Sequence, residues 1–212
     1  VLFLNNISGG SYGNFKYSLY SNISTNEYKG LINYSREKSN GYRYNTDYKS
    51  DNIFIKSGLS KNNPNTNIIA TLSNRKFGAN GFYASPDAID QYEETQTSLV
   101  GVSSIYNSGN LLIKPKIYWR RNQDEYIYVR SDPSIYRNLH KTNKISGEVN
   151  FNYLSSIGNT GFGVEFTNVS IASNNLGKHD RFSGSLYVDH TLNLFNDQLT
   201  ISPGFSLTYF SD

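Results

Sequence analysis

The sequence contains no cysteine, no methionine and a single tryptophan, and only 17% of its residues are charged. Lacking cysteine, it has no disulfide framework, no thiol nucleophile and no thiolate metal site. It has no run of about 18 consecutive apolar residues, which excludes transmembrane helices. The low mean hydropathy of -0.55 agrees. A membrane β-barrel escapes that exclusion, because its strands alternate and average out to polar. The net charge of +3 is too small to argue for nucleic acid. An N-terminal signal pattern is also missing, so an exported protein would be represented here by a mature chain or an internal segment.

Catalytic and metal-binding motifs are equally sparse. The three histidines, His140, His179 and His190, show no zinc-type spacing. There is no nucleophile elbow, Walker loop or dinucleotide fingerprint, since Gly9, Gly10 and Gly13 precede a strand and not a helix. The expectation is a non-enzyme with no cofactor.

What the 212 residues do hold is Tyr (18), Phe (12) and 28 each of Asn and Ser. That mixture favours strands and polar turns in one domain, or in a piece of a larger one. Period-two alternation is the main signal. Leu199, Ile201, Pro203, Phe205, Leu207 and Tyr209 alternate with small polar residues, as do Ile145, Gly147, Val149, Phe151 and Tyr153. The same holds for Phe182, Gly184, Leu186 and Val188, and for Leu111, Ile113, Pro115, Ile117 and Trp119. Weaker copies lie at 14–22, 27–36, 51–60, 66–74, 95–106 and 161–169. About ten strands result, most near 9–13 residues, longer than soluble strands and suited to a bilayer. Their apolar faces should point to lipid, with Lys114, Lys116, Glu148, Glu165 and Asp189 opposite. Pro115 and Pro203 suggest bulges, because each removes a ladder donor.

The connections alternate in length. Short polar turns at 24–26, 61–65, 107–110, 156–160 and 195–198 separate long segments at 37–50, 75–94, 121–143 and 170–180. In a meander every second connection lies on one rim, so one rim carries tight turns and the other long loops, the asymmetry of an outer-membrane barrel. Tyr20, Tyr28, Tyr34, Tyr106, Trp119, Tyr153, Phe166, Phe195, Tyr209 and Phe210 lie near strand ends, as an interfacial girdle requires. Loop carboxylates gather at Asp47 and Asp51, at Asp87, Asp90, Glu93 and Glu94, and at Asp124, Glu125 and Asp132. Solvated charge is their ordinary reading, and calcium bound by oxygen ligands from separate loops is the alternative. The two longest loops combine aromatics with hydrogen-bonding groups, which nominates Tyr83, Asp90, Arg121, Asp124 and Tyr128 as ligand contacts.

Several segments carry a resemblance. Residues 10–18 resemble the opening barrel strands after the plug of TonB-dependent outer-membrane receptors, and 40–47 the first long loop there. The most specific is Phe77-Gly78-Ala79-Asn80-Gly81-Phe82-Tyr83 followed by 90–97, which is similar to the cobalamin-transporter-like branch common in Bacteroidetes. Residues 119–124, 138–142 and 174–181 are similar to that branch as well. The resemblance implies an antiparallel up-and-down transmembrane barrel, all-β, with about ten strands of a 22-strand barrel in residues 1–212; plug and second half are not found. It implies TonB-energised uptake of a scarce, bulky nutrient such as a corrinoid, siderophore or glycan fragment across the bacterial outer membrane. Partners would be outer-membrane lipid, TonB through the plug, and a surface lipoprotein.

Two other readings compete: a complete small porin-like channel, and a soluble secreted carbohydrate-binding β-protein. A complete single-chain barrel usually finishes on an aromatic residue, whereas this sequence finishes Phe210-Ser211-Asp212, which weighs against the channel. A soluble protein has no need of one rim of turns and one of loops.

Overall fold

A computed structural model describes residues 1–59, 65–195 and 198–211. Twelve strands form one antiparallel sheet in which neighbours in sequence are neighbours in space. They are β1 (Leu2–Gly9), β2 (Phe15–Ser24), β3 (Tyr28–Ser39), β4 (Tyr48–Leu59), β5 (Asn65–Gly78) and β6 (Tyr92–Ser108). Then follow β7 (Leu111–Ile127), β8 (Arg137–Ser155), β9 (Gly158–Ser173), β10 (Gly177–Leu194), β11 (Leu199–Ile201) and β12 (Gly204–Phe210). Both β11 and β12 pair with β10, as two halves of one strand. Against the expected ten strands, β1 is additional; Asn5 interrupts its outward row of Phe3 and Ile7, so alternation does not reveal it.

Strands β6 to β10 run to 17, 17, 19, 16 and 18 residues. At about 3.4 Å per residue such strands reach some 55–65 Å, twice the hydrocarbon thickness of about 30 Å. Their far ends therefore stand clear of a bilayer. Much of what the sequence suggests as loop is strand: the connections shrink to 40–47, 79–91, 128–136 and 174–176. These polar ribbons hold because cross-strand bonds replace apolar packing, as where Thr97 donates to Asn122 at 2.7 Å. The rim asymmetry survives. Turns at 25–27, 109–110 and 156–157 oppose the three longer loops, with 10–14 and 174–176 the short members of the loop rim. The turn expected at 61–65 lies, apart from Asn65, outside the described residues, as do 196 and 197 of the turn expected at 195–198.

Neither proline makes a bulge. Pro115 interrupts the β6–β7 ladder between Ser103↔Lys116 and Tyr106↔Ile113, three residues on along each strand, so the register is unchanged. At Pro203 the ladder passes from Asp189↔Gly204 to Leu192↔Ile201 in the same register, with the Pro203 carbonyl still accepting from His190 N–H at 3.0 Å. Each missing donor is lost locally and no residue is inserted.

Register sorts the side chains onto two faces. On one lie Ile32, Ile53, Ile55, Val100, Val102, Ile117, Ile145, Phe166, Leu186, Val188, Phe205 and Leu207, all large and exposed. On the other lie Lys116, Glu148, Glu165 and Asp189, with Lys116 and Glu148 paired at 2.9 Å. Of the buried strand residues, Gly58, Gly101, Ser146, Gly161, Gly163 and Thr167 belong to this polar face, and the exception, Ile127, is at the far end of β7 where loop 128–136 begins. A curved sheet crowds its concave side and splays its convex side, so the polar face lines the interior and the apolar belt looks outward. The belt on β7 runs from Leu111 to Trp119, matching the 9–11 residues, approximately, of a tilted membrane strand. Of the expected girdle, Tyr34, Tyr106, Trp119, Tyr153, Phe166 and Tyr209 are outward, whereas parity turns Tyr20 and Phe210 inward.

Two substitutions one position apart test this assignment. Val149→Arg should cost about 2–4 kcal/mol of folding stability in a bilayer, while Asn150→Arg should cost little. Denaturant titration of the liposome-folded barrel measures both, and equal penalties would reverse the faces.

Candidate binding mouth

On the long-loop rim, three loops close over one another. The opening residues of β6 and the ends of β5 and β7 supply their frame. Loop 40–47 grips loop 79–91 through main-chain bonds: Gly78 N–H donates to the Asp47 carbonyl at 2.9 Å and Asn80 N–H to that of Asn45 at 3.3 Å. Asn45 adopts a left-handed backbone (φ 50°) and its side-chain amide donates to the carbonyls of Ile89 (2.8 Å) and Gln91 (2.6 Å). A Cβ on Gly78 would lie 2.5 Å from the Asn45 carbonyl oxygen, so only glycine admits this approach. Asn80 returns a side-chain bond to the Tyr44 carbonyl at 2.7 Å.

Loop 128–136 is fastened by charge. Arg130 holds Asp47 with both terminal nitrogens, at 2.5 and 3.0 Å, donates also to Asn45 Oδ1 at 3.0 Å, and lies 4.2 Å over the Tyr92 ring. Its backbone N–H donates to the Asp90 carbonyl at 2.9 Å. Hydrogen bonding from Arg130 holds the Asp47 carboxyl below the usual carboxylate range, against the opposing effect of burial. Burial, reinforced by Glu94, pushes Tyr92 up to about 12. Glu94 is itself pushed up by burial, but Lys76 and Tyr92 outweigh that and hold it low.

At the centre sits Gln91, fully buried. Its Nε2 donates to the Tyr126 hydroxyl at 2.5 Å and its Oε1 accepts from Tyr83 N–H at 3.3 Å. Tyr83 packs edge-on against Tyr126 at 5.6 Å, Phe82 against Tyr83 at 4.8 Å, and Tyr136 against Tyr126 at 6.3 Å. The Tyr83 hydroxyl bonds Glu93. Burial raises Glu93, the Tyr83 bond offsets part of the rise, and Asp124 adds to it. The inner side of the mouth is thus a run of tyrosine rings beside two neighbouring acids.

The five residues nominated from sequence fall in three places. Tyr83 and Asp124 share this inner wall with Glu93 and Tyr126. Asp90 is a clasp residue, accepting from Tyr44 at 2.5 Å, and Tyr128 opens loop 128–136 with its ring exposed. Arg121 does not join them: it stands opposite Ser98 and Asn143 on the outward face, because an odd separation from Asp124 along one strand places the two on opposite sides. Sequence reading missed Asn45, Gln91 and Arg130, and it singled out Glu93 only as a loop carboxylate and Tyr126 only as a loop aromatic. Strand parity places Glu93 and Tyr126 on the inner wall, but the partners of Arg130 are 83 and 85 positions away. The acidic clusters disperse as well. Asp47 goes to Arg130, Asp90 to Tyr44, Glu94 to Lys76, Glu125 to Arg137 and Asp132 to Ser134. Among the described residues no three His, Asp or Glu side chains converge on a metal position.

No protein-family model and no curated protein matches the chain. Solved structures do. The copper transporter OprC aligns over 97% of this chain and 36% of its own, with TM-score 0.73 and 10% identity. The ferric-catecholate import receptor Fiu from E. coli K12 aligns over 96% and 43%, with TM-score 0.74 and 12% identity. For the ferric citrate transporter FecA the values are 94% and 35%, 0.69 and 14%. The chain has the fold of a TonB-dependent outer-membrane receptor barrel. It spans less than half the length of these structures, and the barrel is the part they share.

Two measurements probe the clasp. Gln91→Leu strands the Tyr83 amide and should cost about 1–3 kcal/mol, read as earlier proteolysis of loop 79–91. For Asp47 the folded value is depressed, so its stabilisation is present above the unfolded value of about 3.9 and is lost as pH falls through the folded one. Protection of the amides of loop 128–136 from hydrogen exchange, taken relative to an unstructured peptide at the same pH, should therefore be steady from neutral pH to about 5 and fall below about 4, and Asp47→Asn should abolish the step. Half-exposed as this pair is, it contributes no more than about 1 kcal/mol.

Proposed function

We propose that this chain is one wall of the barrel of an active transporter in the bacterial outer membrane, which takes up a scarce, bulky nutrient of the corrinoid, siderophore or glycan-fragment kind. The observation that carries the reading is the open sheet. Among the described residues β1 pairs only with β2, and β12 only with β10. Each strand bears an outward apolar row, and an unpaired backbone group in hydrocarbon costs several kcal/mol, so both edges call for further strands. A complete channel of ten to twelve strands would instead need these two strands to meet.

The mouth suits a receptor. Clasped loops hold Tyr83, Tyr126, Tyr136 and Glu93 in fixed positions on the inner wall, and rigid aromatic surfaces grip bulky ligands at low entropic cost. Transport energised by TonB through a plug, with a surface lipoprotein as a further partner, belongs to this proposal.

The test is whole-cell uptake by the intact receptor. Nutrient uptake should vanish when TonB is deleted, and a Tyr83→Ala/Tyr126→Ala double variant should weaken ligand affinity at least tenfold at unchanged surface level. Uptake indifferent to TonB would refute the transporter reading. Unchanged affinity would take the inner mouth out of the ligand's path.

A further inference from the structure

The outward face carries a groove centred on Gly147. Gly147 presents no side chain there, and a Cβ built on it would meet nothing within 4 Å. Around this gap Val102, Pro115, Ile117, Val149, Val164 and Phe166 enclose a groove of about 320 Å³. Its walls are apolar and its position is midway up the lipid-facing belt, so an acyl chain fits its chemistry.

Higher on the same two strands the surface changes from apolar to cationic. Two residues beyond Trp119 stands Arg121, and Lys141 lies diagonally across from it on β8. Among the described residues neither has an ion-pair partner, and the buried Arg121 Nε has no hydrogen-bond acceptor. Their outward cross-strand neighbours are uncharged: Ser98 and Asn143 beside Arg121, Gln123 and Ala172 beside Lys141. Of the carboxylates of this face near that height, Glu94 and Glu125 are engaged by Lys76 (2.7 Å) and Arg137 (2.6 Å) and Asp51 by Arg36 (2.5 Å), while Asp180 stands apart on β10, two strands from Lys141. Two neighbouring cations without ion-pair partners thus stand at the level where lipid headgroups begin, above an acyl-sized groove and separated from it by the outward Trp119–Ile145 pair.

We infer that the outward face of β7 to β9 is a binding site for a single phosphate-bearing lipid, with one acyl chain in the Gly147 groove and its phosphate between Arg121 and Lys141. The guanidinium offers planar paired donors and the ammonium a point charge, with the Asn143 and Ser98 side chains close enough to complete the shell. This inference rests on the reading of the apolar face as lipid-facing. It assigns Arg121 a role unrelated to the transported nutrient.

The experiment uses the intact receptor, purified from outer membranes in detergent and examined by native mass spectrometry with added lipid A. The wild type should retain one bisphosphorylated lipid A and bind it at least tenfold more tightly than a dephosphorylated lipid with the same chains. Arg121→Gln/Lys141→Gln should remove that preference, and Gly147→Leu, which fills the groove, should weaken both lipids. Inorganic phosphate at millimolar concentration should not compete, because it lacks the chain. Equal retention by wild type and the double variant, or full competition by phosphate alone, would overturn the site. Folding is monitored separately by the heat-dependent gel mobility of the barrel, and recovery of the wild type in the outer-membrane fraction separates failure of this site from failure of the membrane reading.

Discussion

Every backbone N–H and C=O of this chain that lies in hydrocarbon must find its partner within the sheet, and most of the structure follows from that constraint. It makes neighbours in sequence neighbours in space, since a meander pairs each strand without leaving the membrane. It explains why Pro115 and Pro203 are accommodated without bulges: an inserted residue would leave two more groups unpaired, whereas an unchanged register loses only the proline's own bond. It also bears on the edges at β1 and at β11 and β12, which among the described residues each have a single partner strand.

Once the pairing is fixed, the period of two decides what each side chain meets. Lys116 and Glu148 face the interior and bond each other, while Ile117 and Gly147, one residue along, face outward. The same parity carries on above the bilayer, where both faces are polar and water replaces lipid. There it separates Arg121 from Asp124, sending one toward the headgroup level and the other toward the tyrosine-lined mouth. One strand thus serves two surfaces with unrelated chemistry.

The mouth is held differently from the wall. None of its individual bonds is strong: the Asp47–Arg130 pair is half-exposed, and the Asn45 and Asn80 amides reach only backbone carbonyls. Their effect comes from sharing residues. Asn45 binds Ile89, Gln91 and Arg130 together, and Arg130 joins Asp47, Tyr92 and Asp90, so no loop opens without releasing the others. The segments 40–47 and 77–83, whose sequences resemble a receptor family, meet here as a clasp, and the second of them ends on Tyr83 of the inner wall.

Alternation was enough to locate the strands from β2 onward and to sort their side chains onto two faces, because a residue's face depends only on its place in its own strand. Strand length and the alternating lengths of the connections supplied the outward direction of the belt and the rim asymmetry. Alternation failed at β1, where Asn5 sits in the apolar row, and in the upper parts of β7, β8 and β10, where both faces are polar and period two leaves no trace. The joining of Asp47 to Arg130, the burial of Gln91 and the groove at Gly147 beneath Arg121 and Lys141 were decided only by the tertiary structure. Each depends on which residues of different strands or loops stand at the same height. That height is set by the register of the ladders between them, a property of the assembled sheet that no single strand carries.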